Sequence, residues 1–123
     1  MKGVSPDQVI GPERPGCSLV YTGDTVPCSE VLNASKDVDV LIHEATYTEE
    51  DSGLAKEHFH STAKAAAETA SKCNVRMLAL IHISNRYGDS EASLAEARSV
   101  FGNTVAPVDF QMLTVTNGSV RSV

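Results

Sequence analysis

Apolar runs of strand length alternate along this chain with stretches of helical spacing, and a polar residue stands at the end of each run. Cys17–Thr22 reads as a short strand, with Gly23 allowing a sharp turn into Asp24. Ser29–Ser35 has the composition of a brief helix, and Val38–Ile42 is a continuous apolar run, as expected of a strand buried on both faces. Glu49–His58 is charged, contains Gly53, and reads as a solvated loop with about one helical turn. Ser61 or Thr62 then caps a helix in which Ala63, Ala66, Ala67 and Ala70 recur on one face and Asn74 is the terminator. Val75–Ile83 is a second buried strand, and Asn85–Asp89 a polar loop. Ser90–Phe101 is a second amphipathic helix, capped by Ser90 and stopped at Gly102-Asn103. Val105–Val115 is extended, and Asn117-Gly118 marks a terminal hairpin. Met1–Gly16, rich in Pro and Gly, is an irregular lead-in, so the folded unit is expected over 17–123. The β-α-β-α-β pattern predicts an α/β fold.

Composition narrows the function classes. With 123 residues the chain holds one domain, and 41% hydrophobic content supports an ordinary core. The formal charge is −6, with Lys and Arg scattered, so the chain does not carry the basic footprint of a stand-alone nucleic-acid binder. Bound divalent metal could offset that deficit locally. Three cysteines without a CxxC pair or an apolar leader fit a reducing cytoplasm, and no apolar run reaches membrane length.

The chemistry-bearing residues sit where parallel strands bring their C-terminal ends together. Asp24 follows the first strand, His43-Glu44 the second and His82 the third, while His58 and His60 precede the capped helix. An aspartate at such an edge can bridge divalent cations, or it can simply close a turn. His82 is either a ligand or a packed core histidine. Glu44 can orient an imidazole through its ring N–H or cap a loop, and His43 can pack. His60, just before a helix cap, suits a general acid that protonates a leaving phosphate oxygen. His58-Phe59-His60-Ser61-Thr62-Ala63 lacks the aspartate and last histidine of His-x-His-x-Asp-His, so His58 and His60 are not that ligand motif. Arg86 and Tyr87 can contact phosphate or a base, but loop closure is the simpler role.

Four strings together carry a resemblance: Tyr21-Thr22-Gly23-Asp24-Thr25, Asp39-Val40-Leu41-Ile42-His43-Glu44-Ala45-Thr46, His60-Ser61-Thr62, and His82-Ile83-Ser84-Asn85-Arg86-Tyr87. The chain resembles the C-terminal half of the RNase Z family, the tRNA 3′-end endonucleases of the metallo-β-lactamase fold. The resemblance implies half of an αβ/βα sandwich, with a mixed sheet and helices on one side. It implies Asp24 as the metal-bridging carboxylate and His82 as a metal ligand. It implies His60 as the catalytic histidine and Glu44 as its partner. The cofactor implied is a pair of zinc ions, and the substrate precursor tRNA. The family's His-x-His-x-Asp-His motif belongs to the other half of its site and does not occur here. The chain alone is therefore expected to be inactive or nearly so. Its open sheet face calls for a cover, either an N-terminal half or a second copy in a homodimer. Two other readings stand beside this one. One is a non-catalytic dimerisation or regulatory module that keeps the motif, and the other is a hydrolase of the same fold acting on a different ester.

Overall fold

The computed structural model describes residues 3–13, 16–116 and 119–122. Four strands, β1 (Leu19–Tyr21), β2 (Val40–Glu44), β3 (Met77–Ile81) and β4 (Thr104–Val105), form one sheet in the order β1-β2-β3-β4. Every pairing in that sheet is parallel, with Leu41 opposite Leu78 and Tyr21 opposite Ile42. The mixed sheet expected from the sequence is thus resolved into two parts. The described main sheet is parallel because each strand returns through a helical crossover. Antiparallel pairing is confined to a separate hairpin of β5 (Leu113–Thr116) and β6 (Ser119–Ser122). Its Asn117-Gly118 turn lies outside the described residues.

Side chains alternate across a strand, and the two faces of this sheet differ. Leu41, Leu78 and Leu80 form the core with Ala63, Ala66, Ala67 and Ala70 of α4 (Ala63–Cys73) and Ala97 of α5 (Glu91–Arg98), while Leu32 of α2 (Ser29–Ser35) packs at its margin. The helices therefore cover one face, as expected. Alanines let α4 lie close against the strands, so few bulky side chains are needed. On the other face Val40, Met77 and Ala79 are buried, while Leu19 and Tyr21 of the edge strand are 60% and 65% exposed.

Local chemistry explains the element ends. Thr62 caps α4, its hydroxyl accepting from the Ala65 N–H at 3.0 Å, and Asn74 ends it in a left-handed conformation. Ser90 makes no side-chain cap for α5; the Asp89 carboxylate takes the Glu91 N–H instead, at 3.0 Å. Two segments are more ordered than the composition suggested. The lead-in contains a short helix, α1 (Pro6–Val9), closed by a reciprocal Ser5–Gln8 capping box. Glu49–His58 forms a 3-10 turn over Glu49–Asp51 and a helix, α3 (Ser52–Glu57), because Ala55 finds a buried site and Gly53 is tolerated beside it.

The close approach of α4 to the sheet leaves no room for larger side chains. Ala66→Leu should destabilise the fold by about 1–3 kcal/mol, read from urea denaturation. An unchanged midpoint would show that the helix stands off the strands.

Candidate metal centre

The segment after β2 is the spine of the site. The Ala45 N–H donates to the Ile81 carbonyl at 2.9 Å and the Ser84 N–H to the Thr46 carbonyl at 3.1 Å, which ties the spine to the loop after β3. On its other side the Ala63 N–H donates to the Tyr47 carbonyl at 2.8 Å, which ties it to the start of α4. Three loops therefore meet at one sheet edge, and their polar residues meet with them.

Neighbouring residues at the end of β2 have opposite fates. Glu44 is fully buried and gathers donors from the loops after β1 and β2 and from the start of α4. Its Oε1 accepts from His60 Nδ1 at 2.8 Å, from the Ser61 N–H at 3.0 Å and from the Thr25 N–H at 3.2 Å. Its Oε2 accepts from the Thr46 N–H at 3.0 Å and the Thr46 hydroxyl at 2.9 Å. The two roles considered for Glu44, orienting an imidazole and capping a loop, are both realised. His43 falls on the helix face. It is fully buried, its Nδ1 bonds the Glu44 carbonyl at 2.7 Å, and its Nε2 has no protein partner.

These bonds fix the tautomers of the two site histidines. The carboxylate of Glu44 can only accept, so His60 carries its proton on Nδ1. The single hydroxyl proton of Thr46 goes to Glu44, so His82 Nδ1, 2.8 Å from that oxygen, is also the donor. In the neutral form of either ring Nε2 is then the bare nitrogen, the one left for a metal or a proton. The rings stack with centroids 5.4 Å apart and an interplanar angle of 25°.

Asp24 completes the group. Gly23, at φ +62°, turns the chain out of β1, and the Ser61 hydroxyl holds the Thr25 carbonyl at 2.7 Å. Asp24 Oδ1 then lies 3.8 Å from His82 Nδ1. Asp24, His60 and His82 each offer a ligand atom, all within 4.8 Å of one another. The donor set of one carboxylate and two imidazoles suits a divalent transition metal. The sequence reading gives His60 a catalytic role apart from the ligands Asp24 and His82; in the structure all three side chains fall in one group of candidate ligand atoms. His58 stacks on Tyr47, with centroids 6.5 Å apart.

Arg86 and Tyr87 close a loop. The Tyr87 hydroxyl donates to Asp51 Oδ2 at 2.6 Å and accepts from the Thr48 N–H at 2.9 Å, and Arg86 Nη1 lies 3.7 Å from Asp51 Oδ1. Burial, then the bond to Asp51, raises the Tyr87 pKa. This clasp pins the segment that follows His82. Thr46 as the link between Glu44 and both histidines was not anticipated. Its place beside Glu44 at a strand end was the available signal.

A family model described as the beta-lactamase superfamily domain matches residues 9–83. The chain belongs to that superfamily. A relative named Ribonuclease Z from Methanosarcina mazei is 46% identical over 115 residues, covering 93% of this chain and 38% of that protein. The crystal structure of the short form of human tRNase Z is 37% identical, with a TM-score of 0.51 over 60% of this chain and 29% of its own. The metallo-beta-lactamase fold protein YhfI from Bacillus subtilis, at 23% identity, shares the fold with a TM-score of 0.66 over 73% of this chain and 36% of its own. The family resemblance read from the sequence strings is therefore shown, and the chain corresponds to a part of these longer relatives.

His43 makes stability depend on pH. Burial lowers its pKa below the usual value of about 6.5, against the opposing pull of the Glu44 carbonyl and carboxylate. The unfolded chain then binds a proton that the folded chain refuses, so stability is full above about pH 6.5 and falls as pH drops below it. Melting curves between pH 7.5 and pH 5 (~0.5-unit steps) should show this loss, and His43→Gln should flatten it. An equal slope in the variant would assign the effect elsewhere.

Proposed function

We propose that this chain supplies the C-terminal part of the site of an RNase Z-like, metal-dependent phosphodiesterase acting on precursor tRNA. The observation that carries this reading is the convergence of Asp24, His60 and His82, within 4.8 Å, above the buried carboxylate of Glu44. The naming of the relatives supports the choice of RNA over another ester. Asp24 and His82 hold the metal, which we take to be zinc, two ions in the complete site. Bound metal there supplies a hydroxide at neutral pH and neutralises phosphate charge. His60, its Nδ1–H held by Glu44, takes a proton from water on Nε2 and, as imidazolium, passes that proton to the leaving oxygen.

The chain spans 38% of the length of its Methanosarcina relative, and two or three side chains from one chain do not encircle a metal pair. The remaining ligands come from an N-terminal half seated on the face where Leu19 and Tyr21 are exposed. A second copy is the alternative cover for that face. Among the described residues no helix is long and apolar enough to cross a membrane. The three free cysteines fit the cytoplasm.

Precursor-tRNA cleavage with zinc or manganese tests the assignment, using this chain alone and mixed with the N-terminal half of a relative. The mixture should cleave, the lone chain should not, and Asp24→Ala should abolish both cleavage and bound metal. Light scattering on the same samples reads whether the added half replaces a homodimer. Robust cleavage by the lone chain would defeat the divided-site reading. Metal that never binds under reconstitution would favour a non-catalytic module.

A further inference from the structure

Phe59 occupies a position that backbone geometry reserves for glycine. Helix α3 ends in a double turn in which the His60 N–H donates to the Ala55 carbonyl at 2.8 Å and the Phe59 N–H to the Lys56 carbonyl at 3.5 Å. That arrangement requires the intervening residue to be left-handed, and Phe59 has φ +60°. A bulky residue is a genuine outlier there, whereas glycine would meet the same bonds without strain. Packing does not compensate, because Phe59 is 75% exposed. The strained residue is also the immediate neighbour of His60. Strain of this kind, held without a packing return beside a reactive group, points from the outlier toward function.

The surroundings indicate the ligand. The rings of His58, Tyr47, His60 and His82 follow one another, with the Tyr47 and His60 centroids 6.2 Å apart in an edge-on contact. Phe59, between His58 and His60 in the chain, adds an exposed, flat apolar surface next in sequence to this row. The chain carries a net charge of −6, so its own Lys and Arg give no broad basic surface for phosphates. Stacking on a base needs no charge, because every base has a π-face.

We propose that Phe59 is a stacking platform for an unpaired nucleobase next to the scissile phosphate, a positioning residue that sets the strand over His60. This rests on the RNA-cleaving reading above. The test is an NMR titration of the full chain, with ring-labelled Phe and His, against a single-stranded pentamer of adenylate. A matching ribose-phosphate pentamer without bases is the control. The pentamer should shift the Phe59 ring upfield together with the His60 and His82 signals, and the abasic control should leave Phe59 in place. Phe59→Gly should weaken adenylate binding by roughly five- to hundredfold, while its melting temperature stays level or rises. Phe59→Trp should retain affinity. Movement of His60 and His82 without Phe59, or wild-type affinity in Phe59→Gly, overturns the platform and leaves the RNA reading intact. No shift at any of the three residues overturns the platform, while cleavage by the mixture with the N-terminal half decides the RNA-cleaving reading separately. A Phe59→Gly variant that melts lower, with Phe59→Trp binding no better than Phe59→Gly, makes Phe59 a structural residue and overturns the platform.

Discussion

A buried carboxylate with every neighbouring donor turned toward it is the constraint on which this site depends. Glu44 is fully buried, and taking such a charge out of water costs several kcal/mol unless hydrogen bonds replace the lost hydration. The donors come from the Thr25 loop, from Thr46 in its own loop and from His60-Ser61 at the mouth of α4. Satisfying the charge and assembling the site are therefore one event. Loops that are far apart in sequence can move away from the crevice only by leaving a buried charge short of partners.

The sheet supplies the frame for this arrangement, and alternation along β2 divides its work. Leu41 and His43 face the helices, while Glu44 faces the loops. Close packing of alanines in α4 brings the start of that helix, with Thr62 as its cap, down to the strand ends. Of the seven positive φ angles among the described residues, three stand beside the crevice, at Gly23 before Asp24, at Phe59 before His60 and at His82 itself. The backbone bends abruptly at the same points where the chemistry is displayed, as expected when the scaffold over-determines local strain.

Much of this was legible in the chain because strand ends on one edge of a parallel sheet must converge. Asp24, Glu44 and His82 each close an apolar run, and Ser61-Thr62 announces the helix that brings His60 alongside. The continuous run at Val38–Ile42 correctly implied a central strand, and the Ala-rich face of α4 correctly implied close packing. Less was legible where tertiary contacts override composition. The charged stretch around Gly53 looked like solvated loop, yet Ala55 anchors a helix there whose end positions His60. A mixed sheet was expected, and parallel pairing with a separate hairpin was found, because pairing partners are not encoded locally. The linking role of Thr46 depends on three side chains meeting from different loops, which spacing alone does not reveal.

Protonation of the two site histidines reports most directly on whether Glu44 and Thr46 organise the crevice. Long-range 15N–1H correlation of the metal-free chain at pH about 8.5, where imidazoles are neutral, distinguishes the two ring nitrogens. The structure predicts the proton on Nδ1 and a bare Nε2 in both His60 and His82. A proton on Nε2 in either ring would mean that the buried carboxylate does not set the geometry of the site.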